Sequence, residues 1–196
     1  TYNKASVFFA FGTTGAAGGA GTYYFDELNF VAGGGGGGGG GGTVAGLPID
    51  FDTAGVTYTL TGFGGAEDAT VAAGVAGANG SVARVVKSAT AELWAGTTVS
   101  TGANQSIATI PFTATARSMT LRVRAPAAGI VVRLKVEDAA DNTHTVETEA
   151  TTTVANAWET RTFNFANQAA GTAALNLAFT YNKASVFFAF GTTGAA

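Results

Sequence analysis

Residues 1–17 of this chain (TYNKASVFFAFGTTGAA) recur letter for letter as residues 180–196, an offset of 179. The chain is therefore one period of a repeating unit plus an overlap, and any strand within the overlap has two identical claimants. Between the copies runs an unbroken stretch of ten glycines, residues 33–42. Such a tract has no side chains to bury and reads as a linker. Taken cyclically, the unit begins at residue 43, runs through the repeated segment and ends with residues 18–32. TYYFDELNFVA is then its natural last strand and TVAGLPIDFD its natural first. The expected division has three parts. Residues 1–32 are the C-terminal strands of a preceding module, or of the same module permuted; residues 33–42 are the linker; residues 43–196 are a sandwich module lacking its last strand. A polymer of identical modules cut out of phase and an engineered circular permutant with a duplicated strand both produce such a string.

Composition narrows the class. At 196 residues and 46% hydrophobic, the chain is long enough to bury one sizeable core. Thr, Val, Ala and Phe dominate the non-glycine residues, a bias toward pleated sheet. Ten Lys+Arg against thirteen Asp+Glu leave a net charge of −3, no basis for gripping a phosphate backbone, so nucleic acid is not an expected partner. Cysteine is absent and His144 stands alone, which excludes a disulfide framework and thiolate chemistry and leaves only hard, oxygen-ligated metals, calcium first. No apolar run approaches the roughly 20 residues of a bilayer span, and no basic-then-apolar leader is present. A start at Thr1 without methionine is expected of a piece of something longer.

Strands are read from alternation. Val132, Leu134 and Val136 point one way and Arg133, Lys135 and Glu137 the other. Leu121 and Val123 oppose Arg122 and Arg124, and Glu147 and Glu149 share a side of 146–150. Further candidates are 23–30, 49–52, 57–63, 82–88, 93–100, 158–165 and 181–190, separated by breakers such as Ala125-Pro126, Asn79-Gly80 and the 138–142 cluster. About ten regularly spaced strands predict an all-β, two-sheet antiparallel β-sandwich of jelly-roll type, cyclically permuted relative to its natural unit.

The duplication suggests assembly. Two identical segments cannot share one slot, and an unpaired strand edge is a template for another chain. The expected partner is an identical module, met through Val7, Phe8, Phe9, Phe11, Tyr23 and Phe25 near one end and Val186, Phe187, Phe188 and Phe190 near the other.

At Asp50-Phe51-Asp52, Phe63-Gly64-Gly65-Ala66, Glu92-Leu93-Trp94-Ala95-Gly96-Thr97, Arg133-Leu134-Lys135-Val136-Glu137-Asp138, Trp158-Glu159-Thr160 and Tyr23-Tyr24-Phe25-Asp26-Glu27, the chain resembles the jelly-roll carbohydrate-binding modules of secreted bacterial polysaccharide-active and surface proteins. The resemblance implies a concave sheet that binds a glycan, a structural calcium where first and last strands meet, an extracellular or cell-surface location, and no catalysis. Trp94 offers a stacking face for a sugar ring, against the plainer reading of a core tryptophan. Glu92, Lys87, Arg133, Lys135, Glu137 and Glu147 supply hydrogen-bonding charges on the same face, against cross-strand ion pairing as the plainer reading. Asp52 and Asp26, with Asp50, are the expected calcium ligands. Trp158 reads as structural.

Nothing in the sequence has the pattern of a catalytic site. His144 has no metal-ligand companions, no nucleophile-elbow pattern is present, Glu147 and Glu149 lie on one strand rather than across a cleft, and the glycine run lacks the lysine of a phosphate loop. The expectation is an extracellular, non-enzymatic structural module that assembles by strand sharing. The alternative is a carbohydrate-binding module, or an engineered permutant of one, with polysaccharide as its partner.

Overall fold

The alternating segments do form strands. The computed structural model describes residues 18–32 and 46–195 and contains ten: β1 (Gly21–Val31), β2 (Thr59–Phe63), β3 (Thr70–Ala72), β4 (Val82–Lys87), β5 (Gly96–Ser100), β6 (Ser118–Arg124), β7 (Val131–Glu137), β8 (Thr145–Thr151), β9 (Trp158–Asn164) and β10 (Lys183–Phe188). Among the described residues there is no α-helix, and none long and apolar enough to cross a membrane. The strands pair antiparallel in two five-stranded sheets, ordered β3-β4-β1-β6-β9 and β2-β5-β10-β7-β8. The fold is an all-β, two-sheet antiparallel sandwich.

Period-two alternation builds the layer between the sheets. On β7, Val132, Leu134 and Val136 are fully buried while Arg133 and Lys135 face outward; β6 repeats the pattern with Met119, Leu121 and Val123. Tyr23 of β1 and Phe188 of β10 stack across the two sheets with ring centroids 4.8 Å apart. Each such buried side chain contributes about 1.5–3 kcal/mol from the area it removes from water.

Both central strands come from segments near the ends of the chain. Register places Tyr24 between Arg84 of β4 and Arg124 of β6. It places Ser185 between Thr98 of β5 and Lys135 of β7. Residues 21–31 thus belong to the same sandwich as residues 46–195, and the position in the β10 sheet is filled by the C-terminal copy of the repeat. Tyr23, Phe25, Val186 and Phe188, expected where modules join, are 1%, 0%, 0% and 1% exposed and lie in the core between the two sheets. Val7, Phe8, Phe9, Phe11 and the glycine run lie outside the described residues.

Two local expectations change, and one strand is added. The strand expected at 49–52 is a single bridge, Ile49 to Leu28. Extension stops there because the Asp50 carboxylate accepts hydrogen bonds from the backbone N–H groups of Asp52 and Thr53, closing a turn in which Phe51 takes φ 59°. The strand expected at 93–100 begins only at Gly96; Ala95 N–H bonds to the Glu92 carbonyl at 3.1 Å, so Trp94 stands on a turn. The short β3 carries too few residues to show a period.

Candidate functional site

The outward face of the β10 sheet gathers most of the residues singled out from sequence, and cross-strand register is what gathers them. Phe63 pairs with Gly96, Phe187 with Arg133, and Arg133 with Glu149. Gly96 leaves the room: a Cβ there would lie 2.6 Å from the Phe187 ring and 2.9 Å from that of Phe63. The rings of Phe63 and Phe187 consequently meet edge to face at 5.6 Å. Trp94 stacks on Phe63 at 6.2 Å with an interplanar angle of 18°, and Phe190 meets Phe187 at 5.6 Å. The Arg133 guanidinium sits 3.5 Å above the Phe190 ring. The result is a ridge, Trp94–Phe63–Phe187–Phe190–Arg133, whose Trp94 end is 49% exposed.

The charges beside the ridge are bonded to one another. Arg133 reaches Glu147 at 2.8 Å and Glu149 at 2.6 Å; Lys135 reaches Glu137 at 2.9 Å, with Lys183 at 3.8 Å from the same carboxylate. Thr98 and Ser185 share a hydrogen bond of 2.8 Å in the row between. Glu92 is exposed on the Trp94 turn. Aromatic faces beside charged donors and acceptors suit a sugar ring, whose C–H groups meet the π cloud while its hydroxyls hydrogen-bond at the rim. Sequence reasoning missed Phe63 and Phe187 as members of this surface. The sparing of Gly96 opposite Phe63 was the signal, and it is readable only once register is known.

Lys87 is not on that face. It ends β4 opposite Gly21, only 2% exposed, and its Nζ donates to the carbonyls of Phe188, Ala189 and Thr192 at 3.2, 2.9 and 2.7 Å. Burial lowers its pKa to about 8. Its role is to clasp the turn that follows β10, which corrects its placement among glycan contacts.

The expected calcium ligands separate into two sets. The Leu28–Ile49 bridge brings the β1 end near the 50–52 turn, and a bulge between Asp26 and Asn29, with Glu27 at φ 51°, accompanies it. Asp26 is 3% exposed, and burial, reinforced by the charges of Glu27 and Asp52, raises its pKa to about 6, against a backbone bond from Glu27 and the Arg122 guanidinium 3.7 Å away. Both oxygens of Asp52 accept from Ser81 N–H, at 2.9 and 3.2 Å. Asp50 is held elsewhere: burial alone would raise its pKa, but bonds from Tyr58, Asp52 and Thr53 outweigh that and keep it low. Among the described residues no three acidic or histidine side chains converge as a metal-binding group. A calcium ion at Asp26 and Asp52 would draw its remaining ligands from backbone carbonyls.

Two further surfaces lie apart from these residues. On the outward face of the β1 sheet, Arg122 lies 4.5 Å from the Trp158 ring, and Trp158 Nε1 donates to the Ala76 carbonyl at 3.0 Å, tying the β3–β4 loop to the sheet. A groove of about 450 Å³ is walled by Leu47, Pro48, Val56, Tyr58 and Thr101. Comparison with known proteins finds no matching family model, no matching curated protein and no matching solved structure.

Proposed function

We propose that this chain is an extracellular structural module whose sandwiches join to further copies of themselves by strand sharing at the place held by β10. One observation carries the reading: residues 183–188 form the central strand of a five-stranded sheet, and the same six residues stand again at 4–9. A strand supplied by another chain would find both ladders and every side-chain pocket already matched to it. Light scattering and electron microscopy across a concentration series test this. Oligomers or filaments that vanish when residues 1–17 are removed are the expected result. A full chain that stays monomeric at high concentration overturns the proposal.

A second reading has its own support. The half-exposed Trp94, stacked on Phe63 beside the Arg133–Glu147–Glu149 set, makes a glycan-binding surface in the manner of a carbohydrate-binding module. Binding on a glycan array that is lost in Trp94→Ala supports it, and silence across the array removes it. Structural calcium belongs to the same reading, with Asp26 and Asp52 as its expected side-chain ligands. A melting midpoint unchanged by chelator removes that element.

A further inference from the structure

The repeat has a consequence within a single chain. The turn after β10 ends beside the residues that follow the first copy: Gly19 N–H donates to the Thr193 carbonyl at 2.6 Å and Ala20 N–H to the Gly194 carbonyl at 3.2 Å. Packing is as close as the bonding, since a Cβ on Gly19 would lie 3.0 Å from Ala189 Cβ and 3.1 Å from the Thr193 oxygen. By the offset of 179, Thr193 and Gly194 correspond to Thr14 and Gly15. With the first copy in the β10 position, these two bonds become Gly19 to Thr14 and Ala20 to Gly15. Each then spans five residues of continuous chain, the 6→1 span that closes a helix C-terminal turn. Ala16, Ala17 and Gly18 would bridge ends that the structure already holds at hydrogen-bond distance.

We infer that the chain folds in two alternative frames: the central place of the β10 sheet is filled by residues 183–188 in one frame and by residues 4–9 of the same chain in the other. The inference needs the strand position but not the joining of separate chains. Every contact of the position is common to both frames because the segments are identical. The Lys87 clasp on Phe188, Ala189 and Thr192 becomes a clasp on Phe9, Ala10 and Thr13. Likewise the pairing of Ser185 with Thr98 becomes one of Ser6 with Thr98. Only the tethers differ. In one frame the strand continues from Phe179; in the other it runs through a short turn into β1. Because loop closure depends only weakly on loop length, both frames are expected to be populated. In the second frame residues 180–196 leave the sheet.

The chain has no cysteine, so a cross-strand disulfide can report which copy is seated. Under oxidising conditions, Thr98→Cys with Ser185→Cys traps the first frame and Thr98→Cys with Ser6→Cys the second. The expected result is an intrachain disulfide in both double variants, identified by mass spectrometry of the monomer. If Thr98→Cys with Ser6→Cys links only between chains, the inference is overturned while strand sharing between chains survives. No disulfide in that variant, with the Ser185 variant cross-linking normally, overturns it as well. A second measurement does not depend on cysteines: Val186→Asp alone and Val7→Asp alone each leave a cooperative melting transition in a monomer, whereas the double variant loses it. A Val186→Asp chain as unfolded as the double variant shows that the first copy cannot take the place.

Discussion

The two central strands differ in one respect that matters. β1 and β10 are both buried, both flanked by two partners, and joined through the stacked rings of Tyr23 and Phe188. Yet the sequence of β1 occurs once, and that of β10 twice. A position in a fold is defined by its neighbours and not by chain order, so a strand with a duplicate is replaceable where a strand without one is not. Equal burial then need not mean equal sensitivity to mutation.

Phenylalanine truncation gives the largest expected effect. Phe25→Ala in β1 should cost about 3–5 kcal/mol by denaturant unfolding, the usual penalty for an emptied aromatic site. Phe188→Ala should cost measurably less, because the intact first copy can take the position, with the full penalty returning in Phe9→Ala combined with Phe188→Ala. Equal costs for Phe25→Ala and Phe188→Ala alone would erase the distinction between the strands.

The clasp sharpens the contrast, because under the two-frame inference it would serve either copy. Lys87→Met leaves the carbonyls at 188, 189 and 192 without their shared donor and should cost about 1–3 kcal/mol, with no relief from the duplicate.

The β1 side carries the opposite sign at Asp26. Its raised pKa means the folded state holds the proton more tightly than the unfolded chain, so a penalty develops as pH rises from the ordinary Asp value of 3.8 to about 6 and is complete above. Asp26→Asn should therefore stabilise the protein at pH 7 by about 1–2 kcal/mol and flatten that part of the stability profile. A variant less stable than the parent at pH 7 would mean that the ion pair with Arg122 outweighs the cost of burying the charge.

The smallest effect belongs to the exposed ridge. Trp94→Ala should change stability by less than about 1 kcal/mol, since the side chain is half exposed and its aromatic contact is the stack on Phe63. A larger loss would make Trp94 part of the fold rather than of a binding surface.

Most of the fold was legible because burial on one face of a sheet writes itself into every second residue. β6, β7 and β8 lie within a residue or two of where alternation of Leu121, Val132 and Val146 puts them. The 49–52 segment was not legible, because its four residues look like a strand until Asp50 is seen to bond the backbone two and three residues ahead. β3 was missed for want of length, and its partner β4 supplies the pairing that its own sequence does not advertise. For the candidate site, the polar face of β7 and β8 was readable from Arg133, Lys135, Glu137 and Glu147. Lys87 was misplaced because it falls at the inward parity of β4, beyond Val85, where a charge is expected only if three carbonyls wait for it.

Local periodicity and identity are properties of the chain alone, and they determined the all-β class, most strand positions, the outward charges and the existence of two claimants for one strand. Cross-strand register joins residues as far apart as Tyr24 and Arg124, and no short window of sequence contains it. Tertiary structure therefore decided that β1 and β10 are central, that Phe63 and Phe187 meet over Gly96, that Asp26 is buried, and that Lys87 holds the end of the repeated segment.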